Sequence, residues 1–418
     1  MWVDDSWRFI NCNWGARHVK KVGAEEMTYK IDEFYFLTDP EEHIYQHFPD
    51  DPRWQLLKKP ISLEDFVHMP VVKSPFFNHK LEFIVKTYSI LKATDGRVEV
   101  RLRAPGLMSF AVKLKSRDKT VRDESLRECC VIRMVNDHAV FLADLPSAGQ
   151  FYWEIFVNST WSSKSMDNAC SFLVYASKVP SAHQSYPQIG CFGRTPLSEK
   201  LEISEGSDCD PLIVSTGQLA VAVKVPKRSL RLSHNLRYWN QREKTLVDFD
   251  RFAFLQSRLD SSATFVIHCP NKGIYVLSFL VVDPGAEKSE PVVFYRYLID
   301  CRAAVAKAHP LPHSSSKWFG CRLLEPTRGE LRSNTKVQFQ VESKLATEVV
   351  ASVSGAWIAL QRNSQNVWQA LIPTGEKLGK LCLYARFESS KEKYIPLWEF
   401  IVKEATAVDE VRTLFKYL

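Results

Sequence analysis

Two places in this 418-residue chain hold side chains of the kinds that acyl transfer or metal-assisted hydrolysis requires. At Asn11-Cys12 a thiol stands beside an amide. A cysteine attacks only as a thiolate, which needs a neighbouring imidazole or a helix N-terminus. His43 and His47 stand four apart, a spacing that puts both imidazoles on one side of a helix, as zinc proteases use it. Each place lacks a part. The general-base glutamate of a His-Glu-x-x-His motif is absent, since Ile44 follows His43. Cys12 is expected in a strand running from Trp7 into a turn at Gly15-Ala16-Arg17, its side chain opposite that of Asn11 and away from any helix start. His18, just past that turn, reads as structural, and Pro40-Glu41-Glu42 as the first turn of a short surface helix. Cys129-Cys130 is expected in a strand, where neighbouring side chains face opposite ways and cannot share a metal. The ten cysteines form no C-x-x-C pair, so reduced and mostly buried thiols are expected. No catalytic residue, cofactor site or metal site follows from these patterns.

The elements that must position such side chains are mostly strands. At roughly 100 to 200 residues per domain the chain holds three or four units. Apolar residues make up 45% and charged residues 25%, ordinary for a globular protein, and no apolar run approaches the roughly 18 to 20 residues of a spanning helix. Met1-Trp2-Val3-Asp4-Asp5 has no basic or apolar signal region, so a cytoplasmic protein is expected and the Asn158-Ser159-Thr160 sequon carries no meaning. The net charge of +7 is concentrated in residues 86–135, with twelve Lys/Arg against six Asp/Glu. Aromatic-interleaved or helical basic clusters are missing, which argues against nucleic acid. Arg97, Arg101, Arg103, Lys113 and Lys115 form the candidate face for an anionic partner, an acidic filament or an anionic lipid.

From about residue 81 the pattern alternates with period two. Arg97 to Arg103 alternates without a fault, and Phe110, Val112 and Leu114 resume it after Ala104-Pro105-Gly106, which reads as a hairpin with its cationic side in water. The alternation returns at Leu219-Val221-Val223-Val225 and at Val337-Phe339-Val341. A second phrase closes each block: an apolar strand, a proline, a glycine, then an aromatic-rich strand. It runs through Pro146 and Gly149, through Pro270 and Gly273, and through Pro373 and Gly375. Proline ends the ladder, and glycine supplies the corner from which the chain enters the opposite sheet. The phrase resembles the corner between late strands of immunoglobulin-like sandwiches, and the aromatics Trp153, Tyr275 and Trp398 read as core. Units at 81–178, 188–302 and 316–404 are implied, joined by linkers rich in Pro, Ser and Ala.

Residues 1–80 differ in character. Trp7 to Arg17, then Phe36-Leu37-Thr38-Asp39-Pro40, His47-Phe48-Pro49 and Trp54-Gln55-Leu56-Leu57, resemble the distal part of the transglutaminase-like domain of the kyphoscoliosis peptidase and hillarin family. That resemblance implies a mainly β protein: the C-terminal remnant of a transglutaminase-like α+β domain followed by three immunoglobulin-like modules. In that family a Cys, His and Asp triad acts; here the aspartate position falls on Asn11, and the family's histidine and cysteine would precede Met1. The expectation is a non-catalytic scaffold with protein partners, cytoskeletal by resemblance. The rival is a fragment of a transglutaminase-like cysteine peptidase whose Cys and His lie upstream of Met1.

Overall fold

The computed structural model describes the chain except residues 21–26, 107, 118, 120, 159–165, 181–182, 206–209, 283–289, 306–307, 377, 389–392 and 405–418, and except the side chains of 17–20, 27–30 and 205. It falls into two compact units, residues 1–192 and residues 193 onward. Each is built chiefly of antiparallel strands, and no described helix is long and apolar enough to cross a membrane.

The first unit opens with short paired strands and helical turns. The turns used below are α1 (Cys12–Gly15), α2 (Pro40–His43), α3 (Leu63–His68) and α4 (Ser74–Asn78). Local chemistry starts them. Ser62 and Asp65 close a capping box on α3, and proline occupies the first turn of α2 and α4, where its missing N–H costs nothing. The buried carboxylate of Asp32 ties the opening strands to α4, accepting from Ser74 Oγ at 2.5 Å and from Asn78 Nδ2 at 3.3 Å.

A sandwich comes next, built from β1 (Val71–Val72), β2 (Ile90–Lys92), β3 (Arg97–Arg103), β4 (Ser109–Ser116), β5 (Cys130–Val135), β6 (His138–Asp144), β7 (Gly149–Asn158) and β8 (Asp167–Ala176). One sheet has the order β5-β6-β3, with Glu82–Phe83 at its edge; the other has the order β4-β7-β8-β1, with β2 parallel to β8. In β3 the alternation holds along its whole length: Val98, Val100 and Leu102 are buried, the flanking residues exposed. Between the sheets lie Phe141, Trp153 and Phe172, each removing enough apolar surface from water to stabilise the fold by about 2 kcal/mol.

The second unit holds two more sandwiches of the same plan. The first has β9 (Gln218–Lys224), β10 (Arg231–Asn240), β11 (Ala253–Leu259), β12 (Ser262–His268), β13 (Gly273–Val282) and β14 (Val292–Cys301). The second has β15 (Cys321–Glu325), β16 (Lys336–Glu342), β17 (Ala346–Val353), β18 (Val367–Pro373), β19 (Gly379–Phe387) and β20 (Ile395–Lys403). The proline-glycine corner performs the same step three times, carrying the chain between opposed sheets from β6 to β7, from β12 to β13 and from β18 to β19. Gly149, Gly273 and Gly375 adopt φ of 143°, 125° and 80° there, conformations that L side chains rarely adopt.

The hairpin expected between 97–103 and 110–114 does not form. β3 pairs with β6 and β4 pairs with β7, in opposite sheets, and the same split separates β9 from β10 and β16 from β17. The strands on either side of Ala104-Pro105-Gly106 thus lie in different sheets. Both arms bury one face, and alternation alone does not say whether those faces belong to one sheet or two.

The two sandwiches of the second unit share one sheet. β11 pairs with β15, so the eight strands between Ser204–Glu205 and Gln361–Arg362 run on continuously. Arg258, 3% exposed, sits at this seam and donates to the carbonyls of Trp318, Lys227 and Arg228 at 3.3, 3.4 and 3.1 Å. Burial holds its pKa down at about 10. Trp318 packs on Trp398 at 4.7 Å.

Candidate functional site

The residues singled out for chemistry meet in the first segment. Phe9–Ile10 pairs with Phe36–Thr38, which delivers α2 beside α1. α2 starts at Pro40 behind Asp39, whose carboxylate holds Arg8 at 2.7 Å, and the helical path runs on to His47, whose N–H donates to the His43 carbonyl at 3.2 Å. The expected helical turn at Pro40 is therefore present, but Pro40 is buried and Glu41 is the exposed residue of α2. The i, i+4 spacing stacks the His43 and His47 rings 4.2 Å apart and within 5° of parallel. Phe9 stacks on the outer face of His43 at 4.3 Å, and Trp14 closes on His47 at 4.6 Å.

Asn11 fixes the protonation of this column. Its Oδ1 accepts from the Trp14 backbone N–H at 3.0 Å, capping α1. A backbone N–H can only donate, so the amide orientation is set and Nδ2 faces His47 Nε2 at 3.0 Å. The ring nitrogen must then accept, which makes His47 a neutral imidazole protonated on Nδ1. Burial and then the neighbouring His47 push the His43 pKa down to about 4, and burial also lowers that of His47. Both histidines are therefore neutral rings in an aromatic stack.

Beside the stack is a cleft of about 140 Å³ lined by Phe9, His43, His47, Phe48 and Trp54. Its floor is set by Gln55, 1% exposed, whose amide donates to the Ile61 carbonyl at 2.9 Å and accepts from its N–H at 2.8 Å. Nothing in the spacing of Trp54-Gln55-Leu56-Leu57 announces that clamp, because its partner is six residues on.

Cys12 departs from expectation. It is not a strand residue but the first residue of α1, and it is exposed. The Asn11 cap bends the chain out of the strand after Ile10. A four-residue turn has too few aligned peptides to act on a thiol as a long helix does. The side chain of His18 lies outside the described residues. Cys129 ends a 3-10 turn and Cys130 begins β5, so this pair is not within one strand as expected; both are buried, and burial raises the Cys130 pKa. Among the described residues, no three His, Cys, Asp or Glu side chains are grouped to hold a metal.

The five cations of the candidate anionic-partner face are not brought together. Arg97, Arg101 and Arg103 lie on β3, Lys113 and Lys115 on β4, in opposed sheets. Several are matched by carboxylates: Arg97 with Asp144 at 2.9 Å, Arg101 with Glu99 at 2.6 Å, Arg103 with Glu82 at 3.6 Å and Lys115 with Glu154 at 2.9 Å.

Comparison with known proteins adds ancestry. A family model described as KY-like, immunoglobulin-like domain matches residues 63–187 and 198–312; the third sandwich lies outside both segments. Hillarin of Drosophila melanogaster is 28% identical over 315 residues, 68% of this chain and 38% of its own length. The Lim and transglutaminase domain protein ltd-1 of Caenorhabditis elegans is 36% identical over 178 residues, 39% of this chain and 25% of its own. Kyphoscoliosis peptidase of Mus musculus is 25% identical over 378 residues, 88% of this chain and 54% of its own. The chain thus spans between a quarter and about half of these relatives. With both matched segments falling on sandwiches that share one strand plan, the chain belongs to the family of proteins built on KY-like, immunoglobulin-like domains.

Proposed function

We propose that this chain acts by contact and not by acyl transfer, as a non-catalytic scaffold in the cytoplasm whose partners are other proteins, cytoskeletal ones among them. The reading rests on Asn11, which the resemblance sets at the position of the family's aspartate. An asparagine orients a catalytic histidine through its amide oxygen, and here that oxygen caps α1 while the amide nitrogen is engaged by His47. Neither end is available to hold an imidazole beside a thiol. Cofactor chemistry and nucleic acid have no part in this reading.

The second reading is a fragment of a transglutaminase-like cysteine peptidase whose Cys and His lie upstream of Met1. What favours it is Trp7, Trp14 and Trp54, 51%, 45% and 67% exposed in one segment, more apolar surface than a finished domain normally leaves in water. Reading the transcript upstream of Met1 separates the two, since an in-frame cysteine and histidine there would favour the peptidase; activity of the chain itself is tested directly. The purified chain is incubated with casein, and separately with an amine donor and a glutaminyl acceptor. No product above background is expected; turnover that disappears in Cys12→Ala would establish an enzyme.

A further inference from the structure

An antiparallel sheet with one face on the core ordinarily turns polar residues to water. The outer face of β4-β7-β8 carries such residues but sets large exposed apolar side chains among them. Register places Lys115, Tyr152, Leu173 and Ile90 in one row across the sheet, with Lys113, Glu154, Ser171 and Val71 in the next. A third row continues from Arg117, which donates to Gln150 at 2.6 Å, through Tyr175 to Lys92. Tyr152, Tyr175, Ile90 and Val71 are 46%, 45%, 50% and 56% exposed. Large apolar side chains thus sit together on a sheet face. Lys113, Lys115 and Arg117 border them, spaced by about 7 Å along the strand, and Lys92 stands at the far side. Glu154 is the carboxylate of these rows and is taken by Lys115 at 2.9 Å; Lys113 and Lys92 have no ion-pair partner among the described residues. A surface with aromatic anchors, a cationic border and one neutralised acid is complementary to an acidic ligand with apolar side chains.

We propose that this outer face docks an acidic segment of a partner protein, its carboxylates against Lys113, Lys115 and Arg117 and an apolar side chain seated between Tyr152 and Tyr175. The proposal rests on the reading of the chain as a contact protein and names the chemistry of the contact. Gln150 and Glu154 stand within the face, where a protein segment supplies hydrogen bonds and lipid acyl chains do not, which favours a protein over a membrane. The two-residue spacing of Lys113, Lys115 and Arg117 also matches an extended segment carrying carboxylates at every second residue.

The test uses the whole chain with a fluorescent copolymer of glutamate and tyrosine, with polyglutamate, and with phosphatidylserine vesicles, all at low ionic strength. The copolymer should bind more tightly than polyglutamate, and hydrogen exchange should slow in residues 109–116 and 149–158. The double variant Lys113→Glu/Lys115→Glu, and separately Tyr152→Ser, should each weaken binding about tenfold. Arg101→Gln, on the opposed sheet, should leave it unchanged. If a charge-reversed chain does not fold by circular dichroism, Lys113→Gln/Lys115→Gln replaces it. No copolymer binding, binding to vesicles alone, or equal weakening by Arg101→Gln would overturn the proposal. Acyl-transfer turnover with copolymer binding intact would remove the non-catalytic reading and leave this one standing.

Discussion

The indole N–H of Trp398 donates to the carbonyl of Leu255 at 2.9 Å, joining residues 143 apart in sequence and two successive sandwiches. The same carbonyl accepts from Ser314 Oγ at 3.0 Å. Trp398→Phe keeps most of the ring packing against Trp318 but removes the donor, and is expected to lower stability by about 2 kcal/mol. Ser314→Ala leaves the indole bond in place and should cost about 1 kcal/mol. Urea unfolding midpoints measure both, and a wild-type midpoint in Trp398→Phe would show that the bond contributes nothing.

Arg258 gives a sharper test of the same seam. Its guanidinium serves three carbonyls from two separate nitrogens held in a planar fork, a geometry that a single ammonium nitrogen does not reproduce. Arg258→Lys and Arg258→Met are therefore both expected to lose about 2 to 4 kcal/mol, through carbonyls left without donors. Relief from burying a charge works in the opposite direction. Thermal unfolding decides which prevails: a methionine variant as stable as the parent would mean that desolvation outweighs the three bonds.

The histidine stack makes stability depend on pH. Unfolded histidines take up protons near pH 6.5, whereas His43 in the fold stays neutral down to about 4. Between those values the unfolded state binds more protons, so stability falls as the pH falls, with the full contribution present above about 6.5. Allowing for partial exposure, the loss by pH 4 is about 1 to 2 kcal/mol. Denaturation at pH 7.5 and pH 5 should show the slope, and His43→Phe, which keeps a ring in the stack, should flatten it. An unchanged slope in that variant would assign the dependence to other groups.

A carboxylate placed at position 11 is expected to leave acyl transfer at background. In Asn11→Asp the carboxylate still accepts from Trp14 N–H but has no hydrogen to give His47, so it favours a protonated ring there. The His47 pKa should move upward in an NMR titration while acyl transfer stays at background. A downward shift would contradict the donor assignment made for the amide.

Particular parts of this protein are legible in its sequence. The alternation from Arg97 to Arg103 is reproduced residue by residue in exposure, because side chains on a strand face opposite ways whatever the strand pairs with. The corners at Gly149, Gly273 and Gly375 are readable because proline and glycine act through local backbone geometry. Asn11 and His43 are visible as residues of interest, but the cap that bends the chain at Cys12 is not, since a strand and a short helical turn share those residue types.

The order of residues therefore settles a local grammar: which side chains of the alternating strands face inward, where the proline-glycine corners fall, and that three like modules come after an unlike first segment. Long-range pairing assigned each strand to its sheet, so that Arg97 and Lys113 part company while Lys115 meets Tyr152 and Ile90. It also brought the amide of Asn11 to a histidine 36 residues away and β11 to β15. Alternation records only burial, which many pairings satisfy equally. The choice among them is made by packing and hydrogen bonding between distant segments.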